Sequence, residues 1–261
     1  MMTSDGNKLR YRSAELTDPG KVAALNEDAV LSLPDRGVFC VADGMGSIPE
    51  EETASRTAVR LLSGKIGFAE PDSAIEEVER LVRRALDEAA YWIRQRSEEH
   101  GGETMATTAA LLVLNRETPD KSFILHAGDS RCYRHRDGKL ALMTTDHSIA
   151  AMAGISDEAD LPPMLRGVVT NAIGTSEEVE LDKAAADVRE GDTFLLCSDG
   201  LTSMLSDDRI ETMIQQNDTA DLPALVNLLV TEANEAGGKD NISVILVHID
   251  ACSASGATQA Q

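Results

Sequence analysis

Five pairs of neighbouring residues place a carboxylate directly beside a short apolar run. Such runs are typical of strands, and a strand end fixes a side chain while the adjoining loop admits a ligand. Asp-Gly and Asp-Asn also occur in ordinary turns, so a turn is a sufficient explanation for any single pair. Five pairs that each adjoin a strand indicate a shared function. The pairs are Glu27-Asp28, Asp43-Gly44, Gly128-Asp129, Asp199-Gly200 and Asp240-Asn241.

The chemistry that these residues predict is the binding of hard cations. Carboxylates gathered at strand ends repel one another, and cations between them remove that repulsion. Ligand sets made only of oxygen suit Mg²⁺ or Mn²⁺ better than Zn²⁺. A glycine beside an aspartate allows a backbone carbonyl to approach as a further ligand.

The cysteines and histidines do not predict zinc or disulfide chemistry. None of Cys40, Cys132, Cys197 and Cys252 belongs to a C-x-x-C pair, and Cys40 and Cys197 lie in apolar runs. We therefore expect reduced, buried thiols. The five histidines show no spacing typical of metal ligands. They are His100, His126, His135, His147 and His248.

Composition excludes several classes of partner. The chain has 261 residues and a formal net charge of −21. This charge argues against nucleic acid and against anionic lipid as partners, because both need clustered Lys and Arg. No apolar run has membrane-spanning length, and residues 1–8 lack the apolar core of a signal peptide. We expect a cytoplasmic protein that folds as one domain over residues 9–250, with flexible tails at 1–8 and 251–261.

The apolar patterns predict several hairpins and three long helices. Turns at 34–36, 115–121 and 137–138 separate strand-like runs, and Asp137-Gly138 is the strongest hairpin signal. Thr193–Cys197 and Ile242–Ile249 are apolar on both faces, which predicts buried central strands. Helices are expected from Ser47, with Glu50 completing a capping box, from Asp72-Ser73 to before Gly101, and over Asp221–Glu235. Hairpins between helices favour antiparallel sheets covered by helices, an α+β fold.

The order of the motifs resembles the bacterial branch of the metal-dependent protein serine/threonine phosphatases, the type 2C or PPM family. The matching blocks extend from residue 26 to residue 243, nearly the whole chain. They are Asn26-Glu27-Asp28, Asp43-Gly44-Met45-Gly46, Ala106-Thr107-Thr108, Gly128-Asp129-Ser130-Arg131, Thr145-Asp146-His147-Ser148, Ser198-Asp199-Gly200-Leu201 and Lys239-Asp240-Asn241-Ile242-Ser243.

The resemblance implies a four-layer α-β-β-α sandwich and a site for two Mg²⁺ or Mn²⁺ ions. Asp43 would bridge both ions, and Asp199 and Asp240 would complete the first ion's ligands. The second ion would bind the Gly44 carbonyl, with Glu27 nearby. The remaining implied roles are a third ion on Asp129 with Asp199, support of the ligands by Asp28 and Asn241, and a flap over residues 146–170.

The implied reaction is hydrolysis of phosphoserine and phosphothreonine in proteins by a metal-activated water. This mechanism needs no covalent intermediate and no cysteine nucleophile. The expected partners are phosphorylated proteins, the substrates of a partner Ser/Thr kinase. A monomer with a signalling role is expected.

Two positions depart from the family pattern. The family usually carries a phosphate-binding Arg where this chain has Ala23, and bacterial relatives usually carry Arg where it has Asn171. Alanine cannot make the bidentate contact of an arginine to phosphate. Lys21, Arg12 and Arg36 are candidate substitutes. These departures leave two alternatives to a protein phosphatase, namely a phosphatase-like binding module with weak turnover and a phosphatase for a small phosphoester.

Overall fold

The computed structural model describes residues 8–46, 53–70, 73–155 and 160–250. Its strands are β1 (Arg10–Asp18), β2 (Ala29–Leu33), β3 (Val38–Ala42), β4 (Gly44–Met45), β5 (Ala106–Thr107), β6 (Ala109–Val113), β7 (Phe123–Ala127), β8 (Arg131–Arg136), β9 (Lys139–Leu142), β10 (Asp182–Ala185), β11 (Thr193–Cys197) and β12 (Ile242–Asp250). Its helices are α1 (Ala54–Gly67), α2 (Ile75–Glu99), α3 (Ile149–Ala153), α4 (Asp199–Thr202), α5 (Asp207–Gln216) and α6 (Leu222–Glu235).

The strands form two five-stranded sheets that pack face to face. The first has the order β1-β12-β11-β8-β9 and the second the order β10-β7-β6-β3-β2, while β4 and β5 form a separate ribbon. All pairs in the two large sheets are antiparallel. Helices α4, α5 and α6 cover the first sheet, and α1 and α2 cover the second. The predicted α+β sandwich of four layers is confirmed.

Alternation along the strands explains why the central runs are apolar on both faces. In β3, Val38 and Cys40 face α1 and α2, whereas Phe39 and Val41 face the other sheet. Successive side chains of a strand point to opposite faces, so a strand between two cores needs apolar residues at every position. All five residues of β3 are fully buried.

The predicted helices form, with corrections at two starts. Helix α1 begins at Ala54, where the Thr53 side chain accepts a hydrogen bond from the Arg56 N–H. The predicted start at Ser47 is therefore wrong, and the capping box of Ser47 and Glu50 lies outside the described residues. Helix α2 begins at Ile75, two residues after Ser73, and buries the predicted apolar stripe. Helix α6 follows Asp221, as predicted.

Two edge strands, the ribbon strand β4 and the helices α3, α4 and α5 were not predicted. β1 pairs with β12 over nine residues, yet it reads RYRSAELTD and shows no buried residue. β10 is a four-residue edge strand beside β7. Edge strands need few apolar residues because one side faces solvent, so their sequences give a weak signal. Helix α5 was missed although Ser206 caps it through the Arg209 N–H.

No helix in the described ranges is long and apolar enough to cross a membrane. The predicted tails at 1–8 and 251–261 lie outside these ranges except for Lys8.

Candidate metal centre

The five carboxylate-bearing segments meet at one end of the sandwich, because the strand register aligns them. Ala29 pairs with Ala42, which sets Asp28 and Asp43 side by side at the end of the second sheet. In the first sheet, Cys197 pairs with both Val244 and Arg131. The residues beyond these pairs form the other half of the cluster; they are Asp129, Asp199 and Asp240.

The charges of these carboxylates affect one another. Burial raises the pKa of Asp43 well above its ordinary value, and the charges of Asp28, Asp199, Asp129 and Asp240 raise it further. Asp43 therefore has four acidic neighbours drawn from four different segments. Its charged form is unfavourable without a cation nearby.

The pKa values of three other carboxyl groups in the cluster are also raised. Burial, with the nearby charges of Asp199 and Asp240, raises the pKa of Asp28 to about 7, although hydroxyls of Ser243 and Ser198 oppose the shift. Burial and Asp199 raise the pKa of Asp129 to about 7. Burial and Asp240 raise the pKa of Glu27. Since all donors are oxygen and their charges repel, the residues fit hard divalent cations.

Glycines permit the close packing of these segments. A side chain at Gly44 would place its Cβ 2.4 Å from the Glu27 carbonyl oxygen, and one at Gly200 would lie 1.9 Å from that of Asn241. Both distances are impossible for a real Cβ. The glycines of the Asp-Gly pairs are thus required by backbone contacts between the carboxylate-bearing loops.

Two threonines hold Asp43, a role that the sequence analysis did not assign. The Asp43 N–H donates to the Thr108 hydroxyl at 3.0 Å, and the Thr107 hydroxyl donates to the Asp43 carbonyl at 2.8 Å. The Thr108 N–H also donates to the Asp43 carbonyl, at 2.9 Å. Thr108 lies between β5 and β6, and its hydroxyl is 2.7 Å from that of Ser130. The motif Ala106-Thr107-Thr108 was the available signal.

Asn241 ties the loop before β2 to the start of β12. Its Oδ1 accepts a hydrogen bond from the Glu27 N–H at 2.7 Å. Its Nδ2 donates to the carbonyls of Pro19 and Leu25 at 3.0 and 2.9 Å. Asn241 is 5% exposed, and its amide fixes the loop that presents Glu27. This geometry fits the supporting role predicted for it.

The base of the predicted flap is closed by polar contacts. Arg131 makes a bidentate pair with Asp146, with distances of 3.0 Å from Nε to Oδ1 and 2.7 Å from Nη2 to Oδ2. The Thr170 N–H donates to the His147 carbonyl at 2.7 Å, which joins the two ends of residues 146–170. Residues 156–159 lie outside the described ranges.

Asn171 belongs to this flap base. Its Nδ2 lies 2.8 Å from the His147 Nδ1 and donates to the Glu180 carbonyl at 2.9 Å. The Asn171 amide thus links the His147 ring to the backbone of Glu180.

One histidine cluster appears that spacing did not indicate. His126, His147 and Asp182 offer ligand atoms within 4.8 Å of one another. However, the His147 Nδ1 accepts a hydrogen bond from the Gly128 N–H. In neutral His147 the proton then resides on Nε2, which donates to Asp182 at 3.3 Å. With Nδ1 accepting a hydrogen bond and Nε2 carrying the proton, His147 has no ring nitrogen available to bind a metal ion. His147 and Asp182 therefore form a hydrogen-bonded pair.

Of the three substitutes considered for the missing phosphate-binding Arg, only one lies near the carboxylates. Arg12 pairs with Asp250 at the far end of β1 and β12. Arg36 lies in the turn between β2 and β3, at the other end of that hairpin from Asp28 and Asp43. The Lys21 N–H donates to the Gly238 carbonyl at 2.7 Å, beside the loop that carries Asp240.

The described cysteines are unsuited to nucleophilic chemistry. Cys40, Cys132 and Cys197 are free thiols and fully buried. Burial raises the pKa of both Cys40 and Cys197 to about 12. A thiol with so high a pKa supplies almost no thiolate at neutral pH. Cys252 lies outside the described residues.

Comparisons with known proteins agree with this site. A family model described as protein phosphatase 2C matches residues 21–229. The serine/threonine phosphatase stp of Listeria monocytogenes is 32% identical over 242 residues, which cover 90% of this chain and 94% of the relative. The structure of PppA, described as a key regulatory component of T6SS in Pseudomonas aeruginosa, is similar with a TM-score of 0.81 at 32% identity, covering 93% of this chain and 100% of that one.

A further solved structure contains metal. The catalytic domain of the serine/threonine phosphatase PstP, in complex with two manganese ions, has a TM-score of 0.74 at 28% identity and covers 93% of this chain and 100% of that one. The fold and the carboxylate cluster thus define a metal-dependent phosphatase with an α-β-β-α sandwich. The chain belongs to the protein phosphatase 2C family.

Proposed function

We propose that this protein hydrolyses phosphoserine and phosphothreonine in protein substrates with the help of divalent cations. The observation that carries the proposal is the convergence of carboxylates from separate segments around Asp43. Membership of the protein phosphatase 2C family supports the same reaction.

The proposed ligands are those that the sequence indicated. Asp43, Asp199 and Asp240 would hold the first ion, and Asp43 with the Gly44 carbonyl and Glu27 would hold the second. Asp129 and Asp199 would hold a third, weaker ion. The ions are Mg²⁺ or Mn²⁺, because the donor set is oxygen only. When bound, such ions supply Lewis-acid chemistry, since they acidify water and neutralise charge on a phosphoryl group.

The chain's own residues position these groups. Thr107 and Thr108 fix the backbone of Asp43, and Asn241 fixes that of Glu27. A rigid arrangement of charge costs no reorganisation during the reaction. Lys21, at the rim beside the Asp240 loop, supplies positive charge toward the substrate phosphate in place of the arginine missing at Ala23.

The finer assignments belong to the same proposal. The substrates are those of a partner Ser/Thr kinase, and the protein acts as a monomer whose domain covers residues 9–250. A cytoplasmic location is supported by the free thiols of Cys40, Cys132 and Cys197, because reduced cysteines are typical of that compartment.

The test is an assay of the purified protein on a phosphothreonine peptide and on p-nitrophenyl phosphate, with Mn²⁺ or Mg²⁺ and with a chelator. We expect turnover of both substrates that the chelator abolishes and excess metal restores. Turnover of the aryl phosphate alone would indicate a small-molecule phosphatase. Metal binding without turnover of either substrate would indicate a binding module.

A further inference from the structure

The loop of residues 19–27, here called the rim loop, lies against the segment that carries Asp240. A Cβ at Gly20 would lie 2.2 Å from the Asp240 carbonyl oxygen, so the two backbones are in direct contact. The Lys21 N–H donates to the Gly238 carbonyl at 2.7 Å, in the turn that precedes Asp240. These contacts place the first half of the rim loop beside a carboxylate of the metal centre.

The second half of the rim loop is held by Asn241. Its Nδ2 donates to the Leu25 carbonyl at 2.9 Å, and its Oδ1 accepts from the Glu27 N–H at 2.7 Å. Asn26, which lies between these two residues, donates through its Nδ2 to the Thr17 hydroxyl at 2.9 Å. Because the backbone is fixed at both ends, the exposed side chains of the rim loop form a preorganised surface beside the carboxylates.

The centre of the rim loop is apolar. Val22 is 70% exposed and Leu25 is 43% exposed. With Ala23 and Ala24 they form an unbroken apolar run, 22–25, at the place where the family usually has its phosphate-binding Arg. A single exposed apolar side chain is ordinary on a protein surface. Two large ones on an anchored loop next to a site indicate a contact with whatever the site binds.

We propose that the run 22–25 binds an apolar side chain of the substrate that lies one to three residues from the phosphoserine or phosphothreonine. This inference rests on the proposed phosphatase activity, and it adds a substrate class, namely phosphorylated segments with an aliphatic or aromatic residue near the phosphate. Leu25 lies two residues before Glu27, and two residues of extended chain span about 7 Å. Neighbouring residues of a substrate span a similar distance, so one segment reaches the carboxylates and the run together.

An apolar contact here offsets part of the binding that Ala23 cannot provide. An arginine would contact the phosphate, which all substrates share. A contact with Val22 and Leu25 depends instead on the residue beside the phosphorylated one. The run 22–25 contains neither a cation for an acidic neighbour nor a carboxylate for a basic one. The run therefore favours an apolar neighbour over a charged one.

A leucine scan of the substrate tests the proposal. Phosphothreonine peptides of Gly and Ser carry a single Leu, placed in turn at each of the three positions before and after the phosphothreonine, and are assayed with Mn²⁺. We expect at least one Leu position to lower the KM by about tenfold relative to the peptide without Leu, because binding buries the leucine. The kcat should change little, since the contact is made in the bound substrate and in the transition state alike. Glu or Lys at the same position should not lower the KM.

Variants test the assignment to the rim loop. In the double variant Val22→Ser, Leu25→Ser, the same Leu should lower the KM by about twofold or less. Phe68→Ser is the matched control and should keep the full effect of Leu. Phe68 is 93% exposed and follows the last turn of α1, whereas the first turn of α1 contacts the Glu27 carbonyl through Ser55. Circular dichroism confirms that both variants fold.

Three results would overturn the docking proposal while leaving the proposed phosphatase activity in place. The first is hydrolysis of all the peptides with equal KM values. The second is an equal effect of Leu in the wild type and in the double variant, since this would assign the contact to another surface. The third is self-association in sedimentation experiments that the double variant abolishes, since this would assign the run to a second copy of the chain. Absence of turnover with every phosphopeptide would overturn the proposed function as well.

Discussion

The Ser198 hydroxyl donates a hydrogen bond of 2.7 Å to Oδ2 of Asp28, a residue 170 positions earlier in the chain. The Ser243 N–H donates in turn to the Ser198 oxygen at 3.0 Å. Ser198 is fully buried and Asp28 is 2% exposed. This chain of hydrogen bonds joins the two sheets and orients a carboxylate that is almost fully buried.

Ser198→Ala should destabilise the fold by about 1–3 kcal/mol, because a buried acceptor on Asp28 loses its donor. The same loss raises the pKa of Asp28 further and should weaken metal binding. Thermal unfolding and Mn²⁺ titration measure the two effects. Ser203→Ala, at an exposed helix end, is the matched control. A Ser198 variant with unchanged stability and metal affinity would show that the bond has no energetic role.

Asp43→Asn should abolish turnover and yet raise the melting temperature of the metal-free protein. The substitution removes a proposed ligand, but it also removes a charge that burial and four acidic neighbours disfavour. Asp199→Asn and Asp240→Asn should abolish turnover as well. Asp137→Asn is the control, because this turn aspartate has a φ of 51°, which asparagine tolerates. Turnover near the wild-type rate in any of the three variants would contradict the assigned ligand.

The metal-free protein should become less stable as the pH rises from about 4 to about 7. Burial and neighbouring charges raise the pKa of Asp28 and that of Asp129 to about 7, whereas an unfolded aspartate titrates near about 3.9. Between these values the folded state holds protons that the unfolded state has released, so the free energy of unfolding falls with rising pH.

Mg²⁺ binds the deprotonated carboxylates, so its stabilising effect should grow over the same range. Melting temperatures measured from pH 5 to pH 8, with Mg²⁺ and with chelator, test this. If Mg²⁺ raised the melting temperature by the same amount at every pH, protonation of these carboxylates would not be linked to metal binding.

Lys21→Ala should raise the KM for an aryl phosphate, and Ala23→Arg should lower it. A contact shared by the bound substrate and the transition state changes KM with little change in kcat. A hydrogen bond to a charged group contributes on the order of 1.5–3 kcal/mol, so a change of about tenfold is expected. Arg36→Ala is the control, since Arg36 lies at the other end of its hairpin. If Arg36→Ala changed the KM and Lys21→Ala did not, the phosphate contact would belong to Arg36 instead of Lys21.

The sequence by itself determined the class of fold and the strands that carry the proposed ligands. β3 is apolar at every position and β11 at every position after Thr193, and they are followed by Asp43-Gly44 and by Ser198-Asp199-Gly200. Asp137-Gly138 specifies its hairpin through local turn geometry. These features depend on neighbours in sequence, so they are readable without coordinates. Burial and mutual charge raise the pKa values of the carboxylates around Asp43. These carboxylates are the ones that the sequence motifs also indicated.

Only the tertiary structure decided which distant residues serve the site. Thr108 accepts a hydrogen bond from the backbone of Asp43, which lies 65 positions away in sequence. Asn241 accepts one from the backbone of Glu27, which lies 214 positions away. Lys21, Arg12 and Arg36 are equivalent as cations in sequence. Strand register places Arg12 and Arg36 away from the carboxylates, and the hydrogen bond from the Lys21 N–H to the Gly238 carbonyl places Lys21 beside them. The His147 tautomer is set by the Gly128 N–H, a contact that spacing does not encode. Such assignments follow from packing two sheets together, because that step alone fixes contacts between segments far apart in the chain.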